Sequence, residues 1–136
     1  MSLLEQIFLD VSKLNRPNVL LPRCSRGAVS VLLEYFEPIS IVCMTTDRQE
    51  IMSIEAGCYK MPADFLMPGG RLSLIRNSFD LVYLPGLEQS YWYISYDYVI
   101  GGGYMAGTCP EPDERFTRWL QSGDSQTKNE LIVIRK

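Results

Sequence analysis

A chain of 136 residues, 46% of them hydrophobic, has room for one domain with a real core and is too short for two ordinary ones. Its formal charge of -3 gives no broad attraction to nucleic acid or to an anionic membrane surface, so neither is expected as a partner. Histidine is absent, which removes the commonest general base, the commonest metal ligand and every Ser-His or Cys-His nucleophile, and so excludes hydrolases of those types.

From the N-terminus, Ser2 followed by Glu5 makes a capping-box pattern, and Leu3, Leu4, Ile7, Phe8, Val11 and Leu14 recur at helical spacing. Asn15 to Asn18, carrying Pro17, breaks this helix, and Val19, Leu20 and Leu21 suit a short buried strand. After the loop Pro22 to Arg26, the run Gly27 to Phe36 predicts a second helix that Pro38 stops. Ile39 to Met44 reads as the next strand, and Asp47 with Glu50 caps a third helix ending at Gly57. Lys60 to Leu66 holds a third short strand interrupted by Pro62, and Pro68-Gly69-Gly70 marks a turn.

Phe79 to Leu84 is a buried strand closed by Pro85-Gly86. An aromatic-rich helix is expected over Tyr91 to Ile100, terminated by Gly101-Gly102-Gly103. Tyr104 to Gly107 follows as a strand, Asp113 to Gln121 as a helix with Phe116, Trp119 and Leu120 inward, and Leu131 to Ile134 as the last strand. Strands and helices alternating at these lengths predict an α/β domain over residues 1–136, a mostly parallel sheet covered on both faces, with ligands bound beyond the carboxyl ends of the strands. The strands near Val19, Ile41, Phe79 and Tyr104 are expected to be parallel neighbours.

Cys24, Cys43, Cys58 and Cys109 are too scattered for a zinc knuckle or a redox pair and read as small buried hydrophobes; no metal site is expected. No basic leader followed by an apolar run opens the chain, and no segment approaches the ~20 apolar residues of a membrane span, so a cytoplasmic location is expected.

The segment Asn18 to Ser30, NVLLPRCSRGAVS, places a strand, a tight loop and a helix N-terminus together. It resembles the first motif of class I S-adenosylmethionine-dependent methyltransferases. That resemblance implies a three-layer, Rossmann-like fold in a compact version and S-adenosylmethionine as the cofactor. Leu21 stands where the family has an acidic residue, Arg23 and Ser25 stand at glycine positions, and Gly27 is retained, so Arg23, Cys24, Ser25 and Gly27 would form the cofactor loop. Thr45 stands at the family's second acidic position; Asp47 either replaces it or caps the following helix, the cap being favoured by Glu50. Asp64 matches the position that meets the adenine amino group.

NSFDLVYLPG at Asn77–Gly86, GGGYMAGT at Gly101–Thr108 and the terminal ELIVIRK follow the family's closing order. They are most similar to the branch with an IDG-DHSY-like stretch after the fourth strand and an AGHDY-like stretch after the fifth. Pro85 stands where the first Asp of that pattern falls, Glu88 to Tyr91 around the second stretch, and Thr108-Cys109 where His-Asp would stand. No catalytic residue is assigned. The lost glycines and acids predict weak or absent cofactor binding.

Three functions remain open on the residues alone. One is a small methyltransferase, which needs positioning more than acid-base groups. Another is a catalytically silent module that oligomerises through Tyr91, Trp92, Tyr93, Tyr96 and Tyr98, since these rings cover too many faces of a helix for a small chain to bury alone. The third binds a phosphorylated ligand through Arg23, Arg26 and the helix N-terminus.

Overall fold

The computed structural model describes all residues from 1 to 136. In chain order the elements are α1 (Leu3–Ser12), β1 (Val19–Leu21), α2 (Arg26–Leu33), β2 (Ile41–Met44), α3 (Arg48–Ser53), β3 (Tyr59–Met61), β4 (Phe79–Leu84), α4 (Gln89–Ser95), β5 (Val99–Gly107), α5 (Glu114–Gln121), β6 (Asp124–Lys128) and β7 (Leu131–Arg135). All seven strands form one sheet in the order β3-β2-β1-β4-β5-β7-β6.

Strands β1 to β5 are parallel, with Val19 opposite both Ile41 and Leu81, and β7 runs antiparallel to β5 and β6. The expected parallel neighbours are present, with β1 and β4 side by side at the centre. Val19, Leu20 and Leu21 are all fully buried, as a central parallel strand requires. Alternation sends Val19 and Leu21 into the core under α1 and α2, and Leu20 into the opposite core under α4 and α5. Phe8 anchors the first core, its ring edge-on to Tyr35 and Tyr83 at 5.3 Å. Trp92 anchors the second, its indole N–H donating to the Leu87 carbonyl at 3.1 Å. The local signals at Ser2 and Asp47 act as read, each accepting hydrogen bonds from the first turn of its helix, and Asp113 does the same as the cap of α5 rather than its first residue.

Several expectations are corrected. Pro38–Ser40 form a 3₁₀ turn, so the strand begins at Ile41; Ile39 is exposed because the turn swings it off the sheet. Helix α3 ends at Ser53 rather than Gly57, and β3 stops at Met61, before the proline that cannot donate to a ladder. The aromatic helix also ends early, at Ser95, followed by a 3₁₀ turn over Tyr96–Tyr98. Gly101-Gly102-Gly103 does not terminate it. The three glycines lie inside β5, where the β4–β5 register shifts between Phe79 and Leu81, and Gly102 takes a φ of 85°. Strand β6 was not anticipated: DSQTK carries no apolar alternation, and it becomes a strand by pairing along β7 across an Asn129-Glu130 turn, with Asn129 at φ 57°.

The aromatic rings are covered by their own chain. Tyr91, Trp92 and Tyr98 are buried, Tyr93 is half-buried against Phe116 and Trp119 at 5.8 and 4.9 Å, and only Tyr96 is exposed. Rings from α5 and from Phe65 fill the faces that the helix alone leaves open, which removes the premise of an uncovered aromatic surface. No helix is long and apolar enough to cross a membrane.

Candidate functional site

The carboxyl ends of β1, β2 and β3 open onto a cavity of about 260 Å³ lined by Pro22, Arg23, Thr45, Asp47, Glu50, Ala63, Asp64, Phe65 and Tyr91 among others. Four of the eight residues singled out in the sequence, Arg23, Thr45, Asp47 and Asp64, meet there. The other four, Cys24, Ser25, Gly27 and Pro85, do not line it.

The loop after β1 shows why. The Cys24 amide donates to the Met44 carbonyl at 2.7 Å, which draws the loop down onto β2 and turns the Cys24 side chain into the core beside Cys43 and Cys58. A hydrogen bond to Cys43, reinforced by burial, pushes the Cys24 thiol well above the ordinary range, and the same bond lowers Cys43. Cys24 is therefore a packed, protonated thiol. The Ser25 hydroxyl accepts from the Ala28 amide at 3.2 Å and caps α2. Gly27, second in that helix, has nothing within 4 Å of where a Cβ would stand, so internal packing does not demand glycine there. Arg23 is exposed at the lip of the cavity.

At the end of β2, the Thr45 hydroxyl accepts from the Asp47 amide at 3.0 Å and donates to Glu50 Oε2 at 3.2 Å. Asp47 Oδ1 accepts from the Gln49 and Glu50 amides, so Asp47 is the helix cap that its spacing predicted. The half-buried carboxylate held at the cavity wall is that of Glu50, which sequence reasoning used only as the partner of the cap. Its signal is in the spacing: a Glu three residues into a short helix after a strand faces back toward the strand end, and with the Asp47 amide taken by Thr45 its carboxylate accepts from the Thr45 hydroxyl at the cavity wall. Asp64 Oδ1 accepts from the Leu66 amide at 3.0 Å. Gly70 packs so tightly under it that a Cβ there would collide with the Asp64 carbonyl. Phe65 lies stacked with Tyr91 at 6.1 Å, closing the far wall. Burial raises the Tyr91 phenol against the opposing pull of Arg23.

Above β4 and β5 the strand-end loops are hydrogen-bonded to one another. The Gly86 amide donates to Thr108 Oγ1 at 2.7 Å, the Leu87 amide to the Thr108 carbonyl at 3.2 Å, and the Thr108 amide to the Leu84 carbonyl at 3.1 Å. Gln89 Nε2 donates to Asp113 Oδ2 at 2.7 Å, bridging the start of α4 to the start of α5. That bond, with the Phe116 amide, lowers the Asp113 carboxyl. Burial, with the carboxylates of Asp113 and Glu88, raises the Cys109 thiol, which disfavours the thiolate a nucleophile needs.

No family model matches the chain, and no curated protein does. Solved structures do. An S-adenosylmethionine-dependent O-methyltransferase from Thermotoga maritima aligns with a TM-score of 0.66 at 12% identity over 97% of this chain. This chain spans 63% of that protein's length. A methyltransferase from Geobacter sulfurreducens aligns with a TM-score of 0.67 at 12% identity, covering 97% of this chain and 76% of its own. The N-methyltransferase NodS from Bradyrhizobium japonicum gives 0.63 at 14% identity, covering 88% and 85%. Likeness at this identity is likeness of fold.

Proposed function

We propose that this chain, which has the fold of class I S-adenosylmethionine-dependent methyltransferases, is a degenerate form in which the strand-end cavity takes the nucleoside end of the cofactor weakly and methyl transfer does not follow. The observation that carries this reading is the cavity itself. At about 260 Å³ it falls below the ~300–1,000 Å³ of pockets that enclose a drug-sized ligand, and it stops at β3-β2-β1 without reaching the ends of β4 and β5. A nucleoside fits that space. The methionine end and an acceptor substrate would lie beyond it, toward the ends of β4 and β5, where Thr108 and the Gln89 to Asp113 bridge stand.

Charge supports the same division. Glu50 and Asp64 offer carboxylates to a ribose diol and an adenine amino group, the roles that the family resemblance gives to acids at these strand ends. Leu21 offers none, being fully buried in the core. Arg23 sets a cation at the lip where the sulfonium and ammonium of S-adenosylmethionine would come. One lost charge-assisted hydrogen bond is worth about 1.5–3 kcal/mol, a weakening of about ten- to 150-fold. A phosphorylated ligand is disfavoured at this place, because Asp47, Glu50 and Asp64 surround the single arginine that lines the cavity.

Calorimetric titration tests the reading. Adenosine and S-adenosylhomocysteine, which lack the sulfonium charge, are expected to bind at least as well as S-adenosylmethionine, all of them well above micromolar Kd. Radiolabelled S-adenosylmethionine should transfer no label to cell extract. Tight one-to-one binding of S-adenosylmethionine, or a labelled product that appears only with this protein, would overturn it.

A further inference from the structure

We infer that the chain forms a two-fold dimer by antiparallel pairing of β6 with β6 of a second copy. β6 is the last strand of the sheet, hydrogen-bonded to β7 on one side and without a partner strand on the other, where only the Ser125 amide is engaged, donating to the Gly123 carbonyl at 3.2 Å. Its five residues, Asp124-Ser125-Gln126-Thr127-Lys128, are complementary to their own reverse. With the dyad at Gln126, Asp124 faces Lys128 of the copy, Ser125 faces Thr127, and Gln126 faces itself.

The backbone alternation suits this register. The two-residue Asn129-Glu130 turn makes Lys128 and Leu131 opposite partners, so Lys128, Gln126 and Asp124 direct their amides and carbonyls to β7. Ser125 and Thr127 then direct theirs outward, and in the dimer each pairs with the other's copy through about four backbone hydrogen bonds, the two from Ser125 replacing its short-range bond to the Gly123 carbonyl. The Asp124 to Lys128 pairs fall at the non-hydrogen-bonded positions, where opposite side chains come closest.

Within one chain Asp124 faces Arg135, which lies over the Tyr104 ring at 5.5 Å, whereas Lys128 faces only Leu131. Pairing completes a row in which Arg135, Asp124 and Lys128 of the copy alternate in sign, and it gives Lys128 the carboxylate its own β7 does not offer. Edge strands commonly carry charge to forbid pairing. Here one acid and one base at opposite ends forbid parallel, in-register pairing and favour a single antiparallel one.

Sedimentation velocity between about 10 μM and 1 mM should show a monomer passing to a dimer, with the dimer weakened by added salt. Lys128→Asp and Asp124→Lys change exposed side chains, and each turns both symmetric attractions into repulsions, lowering association about tenfold or more. An equimolar mixture of the two variants restores opposite charges at both ends of the pairing, so a heterodimer should form although neither variant self-associates. Thr127→Pro removes one outward amide, which an edge strand tolerates, and should weaken the dimer with the far-ultraviolet circular dichroism unchanged. A wild-type chain that stays monomeric throughout, a dimer indifferent to Lys128→Asp, or a mixture that fails to associate would each overturn the assignment.

Discussion

Replacing Glu50 separates binding by the cavity from the stability of its wall. In Glu50→Gln the side chain keeps its length, and an amide oxygen can still accept from Thr45 Oγ1, now 3.2 Å from Glu50 Oε2. What is lost is the charge on the acceptor that the proposed nucleoside site would offer a ribose hydroxyl. A hydrogen bond to a charged group is worth about 1.5–3 kcal/mol and a neutral one about 0.5–1.5, so the exchange costs about 1–1.5 kcal/mol of binding, a five- to tenfold rise in Kd for adenosine. Glu50→Ala removes the acceptor entirely, and the rise becomes about ten- to 150-fold. Two-dimensional NMR titration of adenosine and S-adenosylhomocysteine reads affinities this weak, and thermal melts on the same samples check the fold. An unchanged Kd in Glu50→Ala, with the melt unchanged, would mean that the carboxylate does not touch the ligand and that the cavity is not a nucleoside site.

Phe116→Ala empties a fully buried position packed against Trp92, Tyr93 and Trp119, at a cost of about 3–5 kcal/mol. With an unfolding entropy of about 0.3 kcal/mol/K for a chain of this size, the melt followed by circular dichroism should fall about 10–17 °C, and a fall below about 3 °C would refute the packing of α4 on α5. Gly107→Ala drives a Cβ into the Leu84 carbonyl, so β4 and β5 must part, and a loss of about 1–3 kcal/mol is expected in urea melts. A variant as stable as the parent would mean the two strands lie further apart at that point. Alkaline pH should also destabilise the fold. Burial raises the Tyr83 phenol above its ordinary value of 10.0, so below that pH its contribution is intact, and above it the unfolded chain loses its proton first and stability declines. Tyr83→Phe should lessen the decline seen in urea midpoints above pH 10, and equal slopes in the two proteins would count against it.

Much of the fold lies in local pattern. Val19–Leu21 and residues 81–84 are apolar on both faces, as a central, doubly covered strand requires, and Ser2, Asp47 and Asp113 carry the side-chain oxygen that a helix start needs. The strand-end position of the cavity followed from that pattern, and Arg23, Thr45, Asp47 and Asp64 do meet there. What local pattern could not supply depends on partners distant in the chain. DSQTK is polar and becomes β6 only because β7 offers it a ladder. Gly101-Gly102-Gly103 reads as a terminator, yet sits within β5, because Gly103 must pass close to the Asp80 carbonyl where the register slips. The rings of α4 look surplus to one helix and are covered by Phe65, Phe116 and Trp119 from elsewhere. Glu50 is different: its carboxylate is set by a nearby residue, Thr45, which takes the Asp47 amide and donates to Glu50 in its place. The sequence alone determined which segments are buried on both faces and where helices begin, because burial and capping act within a few residues. Tertiary structure alone decided which strand ends meet around one cavity, because β1, β2 and β3 come side by side only through ladders between segments far apart in the chain.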